Sequence, residues 1–170
     1  MHRPRRATVA VIGGADEPAG ILAAAEALGA GVIAAGHRLI TGGLGGVMEA
    51  ACRGARRSPA WTEGSIVGVL PGIDPRAANP FVDVVITTGI GHLRNGIVVS
   101  SADVVVAIGG GAGTLSELAL AWIHGRPIIA LDVGWGARLG GARLDDRRDD
   151  AIRSVATVEA ALAELARCVR

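Results

Sequence analysis

The residues best suited to chemistry form one short glycine-rich stretch that follows an apolar strand pattern. The segment Gly109–Gly113 places four glycines in five positions, and a helix pattern begins directly behind it. Glycine lets the backbone approach a ligand closely and take positive φ angles. A helix N-terminus adds unpaired N–H groups and a positive dipole end, which suit a phosphate. The stretch therefore predicts a phosphate site formed by Gly109, Gly110, Gly111, Gly113 and Thr114.

Glu117 lies about one turn into the helix that follows this stretch. Breaking an N-glycosidic bond builds positive charge on the sugar, and a carboxylate can stabilise that charge or orient the attacking water. The spacing Thr114-x-x-Glu117 also fits a capping box, in which Glu117 would only stabilise the helix start. Both interpretations stay open at this point.

Arg94 is predicted at the start of another helix, where a positive charge opposes the helix dipole. A bound anion would offset this unfavourable placement, so we expect Arg94 to contact the ligand, with Asn95 beside it. A surface arginine without a ligand is the alternative.

Short β-branched segments alternate with longer Ala- and Leu-rich segments along the chain. This alternation predicts an α/β fold in which a Rossmann-like, doubly wound parallel sheet of about six or seven strands carries helices on both faces. We expect residues 1–170 to form a single nucleotide-binding domain. Because ligands bind where parallel strands end, the glycines after strands one and two join the predicted site, although the first pair could also be a tight turn: Gly13, Gly14, Gly42, Gly43, Gly45 and Gly46.

Four further structural expectations follow from local patterns. Helix one should span about Pro18–Ala35 with Asp16 as its cap. The most apolar strand, Val104–Ile108, should be central in the sheet. Residues 132–150, rich in Gly, Arg and Asp, predict a flexible loop or lid, and residues 1–6 predict a disordered, solvated tail.

Composition limits the classes of function. The chain has a net charge of +1 and all of its 17 Lys and Arg residues are Arg. Without lysine it cannot form the Schiff base of a pyridoxal-phosphate decarboxylase. Neither the charge nor the apolar segments indicate a nucleic-acid or membrane partner. Two Cys and four His residues show no metal-ligand spacing, so we expect no metal site and no required cofactor. With no signal peptide in the pattern, we expect a cytoplasmic protein.

Three stretches carry a family resemblance. Gly109–Glu117 (GGGAGTLSE) resembles the PGGxGTxxE motif of the LOG family, the cytokinin-activating nucleoside 5′-monophosphate phosphoribohydrolases once mislabelled lysine decarboxylases. Thr41–Ala51 (TGGLGGVMEAA) and His92–Asp103 (HLRNGIVVSSAD) resemble the shorter LOG-like branch that includes the molybdenum-cofactor carrier protein.

The resemblance implies that Glu117 and Arg94 are catalytic residues and that the chain forms a homodimer or homotetramer. Two positions depart from the phosphoribohydrolase pattern: Gly109 replaces the motif proline, and Asn95 follows Arg94 where a lysine is typical. We therefore expect a phosphorylated, nucleotide-like ligand, and two functions remain. The protein could hydrolyse nucleoside monophosphates to free base and ribose 5-phosphate, or it could carry the molybdenum cofactor (molybdopterin) or a related phosphorylated ligand without cleaving it.

Overall fold

The computed structural model describes residues 5–169. A seven-stranded parallel sheet forms the centre of the fold. The strand order is β4-β3-β2-β1-β5-β6-β7, and every neighbouring pair is parallel. The predicted doubly wound α/β fold is thus confirmed. The strands are β1 (Thr8–Gly13), β2 (Arg38–Thr41), β3 (Ile66–Leu70), β4 (Val84–Thr87), β5 (Val104–Gly109), β6 (Ile128–Gly134) and β7 (Arg153–Val155).

Six α-helices connect or follow these strands, and two 3₁₀ turns precede β4 and α3, at Pro75–Ala77 and Gly91–Leu93. No helix in the described part of the chain is both long and apolar enough to cross a membrane. The helices are α1 (Ala19–Ala34), α2 (Val47–Arg57), α3 (Arg94–Ser100), α4 (Ala112–Ile123), α5 (Trp135–Leu139) and α6 (Val158–Cys168).

The central strands are buried on both faces because their side chains alternate between two hydrophobic clusters. Val9 and Val11 of β1 pack in one cluster, while Ala10 and Ile12 pack in the other. Every residue of β5 is buried, as expected for its apolar sequence, and this strand lies between β1 and β6. The chain reverses its winding direction between β1 and β5, which makes their carboxyl ends the switch point where such sheets bind ligands.

Three local expectations were wrong. The N-cap of α1 is Pro18, and no side chain caps the helix, so Asp16 does not have the predicted role. The predicted loop over residues 132–150 instead begins with the end of β6 and then contains all of α5. Residues 140–150 form a loop, as predicted, and it is anchored, since the indole N–H of Trp122 donates to Asp145 at 2.8 Å.

The predicted N-terminal tail falls mostly outside the described residues, but two of its positions are held in place. Arg5 forms an ion pair with Asp103. Arg6 donates hydrogen bonds to the carbonyl oxygens of Gly36 and His37. The tail prediction therefore does not hold for Arg5 and Arg6.

Helices α1 and α2 pack with their backbones in close contact. A Cβ atom placed on Gly29 of α1 would lie 2.0 Å from the carbonyl oxygen of Ala51, and one on Gly54 of α2 would lie 1.8 Å from that of Glu26. Real Cβ atoms cannot come that near to a backbone oxygen. Glycine has a low helix propensity, so Gly29 weakens α1 locally. The close packing of α1 against α2 nevertheless requires a residue without a side chain at this position.

We expect Gly29→Ala to lower the free energy of unfolding by about 2–3 kcal/mol, because the added methyl group forces α1 and α2 apart. Gly20→Ala is the matched control, since Gly20 is also in α1 but has open space around its Cα. That change should be neutral or stabilising by up to about 1 kcal/mol. Urea unfolding of the three proteins measures both effects, and equal stability of the Gly29 variant and wild type would contradict the packing argument.

Candidate functional site

A cleft of about 220 Å³ opens at the switch point, beside the carboxyl ends of β1 and β5. It lies between the loop after β1, the start of α2, the start of α3 and the first turns of α4. Eight of the residues predicted from the sequence line it: Gly13, Gly14, Arg94, Asn95, Gly111, Gly113, Thr114 and Glu117.

The first turn of α4 supplies unpaired backbone donors to this cleft. After β5 the chain turns through Gly109 and Gly110, whose φ angles are +61° and +90°, a region that glycine adopts readily. Gly111 is the N-cap, and no side chain caps the helix. The N–H groups of the first helical residues have no acceptor inside the helix. Since Gly113 and Thr114 line the cleft, this turn can bind an anion there.

The helix boundary decides against the capping box. The N-cap is Gly111, so Thr114 is the third helical residue and cannot cap the helix start. Glu117 lies almost a turn further on, with its side chain against the cleft. Its carboxylate is therefore not used to cap the helix and faces the space where a ligand would bind.

Arg94 and Glu117 form a buried charge pair that is not hydrogen-bonded. Arg94 Nη1 lies 3.7 Å from Glu117 Oε1, and the two side chains are 8% and 9% exposed. In the described part of the chain, the buried Nε of Arg94 has no acceptor. Buried polar groups normally find partners, so this pair is what a polar ligand could satisfy.

Burial raises the pKa of Glu117 to about 7, although the positive charge of Arg94 opposes the rise. Burial likewise lowers the pKa of Arg94, against the attraction of Glu117. For both groups the loss of hydration outweighs the attraction between them. Near neutral pH the Glu117 carboxyl group therefore exchanges between a hydrogen-bond donor and an acceptor.

The glycine after β2 makes room for the arginine. A Cβ atom on Gly42 would lie 2.2 Å from Arg94 Nη1, so only glycine leaves space for the guanidinium group. Arg94 itself is 7% exposed, which excludes the surface-arginine interpretation. Asn95 extends the same wall of the cleft, and its side-chain amide donates to the Ser116 hydroxyl at 2.9 Å.

Other predicted glycines support the cleft without lining it. Gly43 donates its N–H to Thr41 Oγ1 at 3.0 Å. Gly46 has a φ of +65° and packs against the backbone of the loop after β1. Gly45 has only one neighbour, Glu49, at 4.0 Å from an added Cβ.

The turn at Gly109 and Gly110 differs most from its prediction. The Gly110 N–H is already taken, because it donates to Glu17 Oε1 at 2.6 Å. The same carboxylate lies against Gly109. The Gly110 N–H is therefore not a free donor in this structure, and neither glycine lines the cleft.

Sequence reasoning did not assign several other residues of the cleft wall, among them Leu44, Met48 and His92. All three lie within the stretches that carry the family resemblance. The motifs could therefore have indicated these positions, whereas the chemistry of their side chains did not. In residues 5–169, no three His, Cys, Asp or Glu side chains are grouped as metal ligands.

A larger hollow of about 550 Å³ lies elsewhere, between α1 and α2. Its wall is mostly Ala and Gly, and its two charged residues, Glu26 and Arg57, are paired with each other. The smaller cleft is the better candidate because it combines the free start of α4 with the buried Arg94–Glu117 pair.

Comparison with known proteins agrees with this fold. The model of the SLOG cluster4 family, within the SLOG superfamily to which the LOG proteins are related, matches residues 6–162. An uncharacterized protein of Archaeoglobus fulgidus is 45% identical over 96 residues, which cover 56% of this chain. That alignment spans only 60% of the archaeal protein.

Two solved structures resemble the whole chain. The molybdenum cofactor binding protein of Rippkaea orientalis is 30% identical with a TM-score of 0.81, and the match covers 98% of this chain and 99% of that one. The molybdenum cofactor carrier protein of Chlamydomonas reinhardtii is 32% identical with a TM-score of 0.82, and covers 97% and 99%. The resemblance found in the motifs thus holds for the superfamily, while membership of the cytokinin-activating LOG enzymes is not established.

The raised pKa of Glu117 predicts a pH-dependent stability. A carboxyl group with a pKa of about 7 in the folded state and about 4.5 when unfolded costs stability as the pH rises between these values. Glu117→Gln removes this cost, so its stability relative to wild type should increase from pH 4.5 to 7 and then stay constant. The increase should be on the order of 3 kcal/mol.

Urea unfolding at a series of pH values measures this difference. Glu63→Gln is the control, because Glu63 is an exposed carboxyl group outside the cleft. Its stability should follow wild type throughout. A Glu117→Gln variant that also runs parallel to wild type over this range would contradict the buried, destabilised carboxylate.

Proposed function

Because the chain belongs to the SLOG cluster4 family, we propose that it is a binding protein for a phosphorylated pterin- or nucleotide-like ligand, with the molybdenum cofactor as the first candidate. One observation carries the proposal: the free start of α4 and the buried Arg94–Glu117 pair, in which Arg94 Nε has no acceptor within the described residues, meet in a single cleft. The names of the two similar structures, a molybdenum cofactor binding protein and a molybdenum cofactor carrier protein, suggest the ligand.

The start of α4 is the proposed phosphate site. Its first N–H groups have no partners in the helix, and the positive end of the dipole favours an anion. Thr114 is 3% exposed and lines the cleft, so its hydroxyl group can add a further hydrogen bond. This arrangement needs no lysine, which suits a chain that has none.

Arg94 and Glu117 would then bind the ring system of the ligand. A pterin carries both hydrogen-bond donors and acceptors along its edge. The guanidinium group of Arg94 can only donate, whereas the Glu117 carboxyl group can donate or accept according to its protonation. The ligand would thereby add hydrogen-bond partners to these two buried groups.

Hydrolysis of nucleoside monophosphates is the second candidate, and the position of Glu117 beside a phosphate site favours it. A glutamate that stabilises a sugar cation must be ionised, and burial raises the pKa of Glu117 to about 7. The same carboxyl group suits ligand binding in either protonation state. The names of the two similar solved structures, a binding protein and a carrier protein for the molybdenum cofactor, favour a carrier over a hydrolase.

The direct test measures binding and turnover together. Purified protein would be titrated with molybdopterin and with a panel of nucleoside monophosphates in a calorimeter, while chromatography quantifies free base and ribose 5-phosphate. We expect binding of at least one phosphorylated ligand without release of base. Base release that disappears in the Glu117→Gln variant would overturn the carrier proposal and establish the hydrolase.

Arg94→Gln should weaken binding of that ligand by about 10- to 100-fold, the usual effect of losing a buried charge-assisted hydrogen bond. Arg57→Gln is the matched control, because it makes the same charge change on an exposed residue of α2. Calorimetry gives the affinities, and thermal unfolding checks that each variant is folded. Equal losses in the two variants would mean that Arg94 acts only through net charge.

A further inference from the structure

Glu17 is close to the cleft without lining it, and its contacts have no role in the site as described so far. It lies in the loop between β1 and α1, and its Oε1 atom accepts the N–H of Gly110 at 2.6 Å. An added Cβ on Gly14 would be 2.3 Å from this oxygen, and one on Gly109 would be 2.7 Å from it. The carboxylate is therefore seated between two glycine turns that leave space for it.

The position of the Glu17 carboxylate beside Gly109 and Gly110 corresponds to one half of an anion-binding site. The turn at Gly109 and Gly110 leads directly into the N-terminus of α4, where negative charge is favourable. Glu17 fills that half with an anion from the chain itself. The other half, formed by the first residues of α4, stays open to the cleft, where Gly113 and Thr114 line it together with the buried Arg94, whose Nε has no acceptor within the described residues.

We propose that Glu17 is a specificity-determining residue that restricts the cleft to ligands with a single phosphate group. This inference rests on the proposed function, because it assumes that a ligand phosphate binds at the start of α4.

The physical reason is competition for the same turn. A phosphate bound at the first residues of α4 does not compete with Glu17, because the N–H groups that would hold it are not those that Glu17 engages. A second phosphate bonded to it would extend toward the neighbouring N–H of Gly110, which Glu17 already engages. That phosphate would have to displace the carboxylate or lie beside it, and close like charges repel. Monophosphates avoid both costs, whereas diphosphates do not.

Inorganic phosphate and pyrophosphate are suitable probes, since they carry no base or pterin. Both would be titrated into isotope-labelled wild type, Glu17→Gln and Asp16→Asn, with the amide signals of residues 110–114 as the readout. Asp16 is the matched control, because it is an exposed carboxylate in the same loop and its variant removes the same charge.

In Glu17→Gln, the affinity for pyrophosphate relative to phosphate should rise about tenfold, the scale of repulsion between close charges near a surface. Pyrophosphate should also shift the Gly110 amide signal strongly in this variant, but not in wild type or in Asp16→Asn. Asp16→Asn should keep the wild-type ratio. Glu17→Asp, which shortens the side chain and withdraws the carboxylate from Gly110, should change the ratio in the same direction and guards against a folding defect in the first variant.

An unchanged ratio in both Glu17 variants would overturn the inference, as would weaker binding of both probes, which would make Glu17 a ligand-binding group. These results leave the proposed function intact if molybdopterin or a nucleoside monophosphate still binds to wild type. If wild type binds none of these ligands, the proposed function and the inference both fail.

Discussion

The buried pair of Arg94 and Glu117 is the interaction on which the site depends. Two charged groups are held 3.7 Å apart with almost no exposure to solvent and without a hydrogen bond between them. Removing charges from water is costly, and attraction at this distance compensates only in part. The fold nevertheless maintains the pair, because Gly42 leaves room for the guanidinium group and Asn95 joins α3 to α4 through Ser116. Such a costly arrangement is characteristic of a binding site and not of a stabilised core.

The fold was largely predictable from the sequence because its signals are local and repeated. β-Branched strands, Ala-rich helices and glycines at strand ends each indicate a parallel sheet, and together they identify the edge where ligands bind. The start of α4 after Gly111 was harder to predict from the sequence. The Thr114-x-x-Glu117 spacing fits a capping box as well as a functional carboxylate, and only the position of the N-cap separates the two.

Contacts between distant segments could not be predicted in this way. The packing of Gly29 against Ala51, and the seat of Glu17 against Gly110, depend on how elements approach each other in space. Residues 132–139 were also misjudged, since Gly-rich composition suggests a loop although β6 continues and α5 follows. The expected homodimer or homotetramer stays a prediction, because it came from the resemblance and the described chain is a single copy.

These features together favour a protein that holds its ligand over one that transforms it. The proposed phosphate site is made of backbone donors, and the Arg94–Glu117 pair is buried in the same cleft. Each group can contribute to affinity and orientation without a chemical step. Two of the similar solved structures are named for binding and carrying the molybdenum cofactor.

A crystal structure of the complex with molybdopterin would test this account most directly. The account predicts the phosphate within about 3 Å of the backbone nitrogens at the start of α4, and the pterin in contact with Arg94 and Glu117. A ligand bound elsewhere, for example in the hollow between α1 and α2, would contradict it.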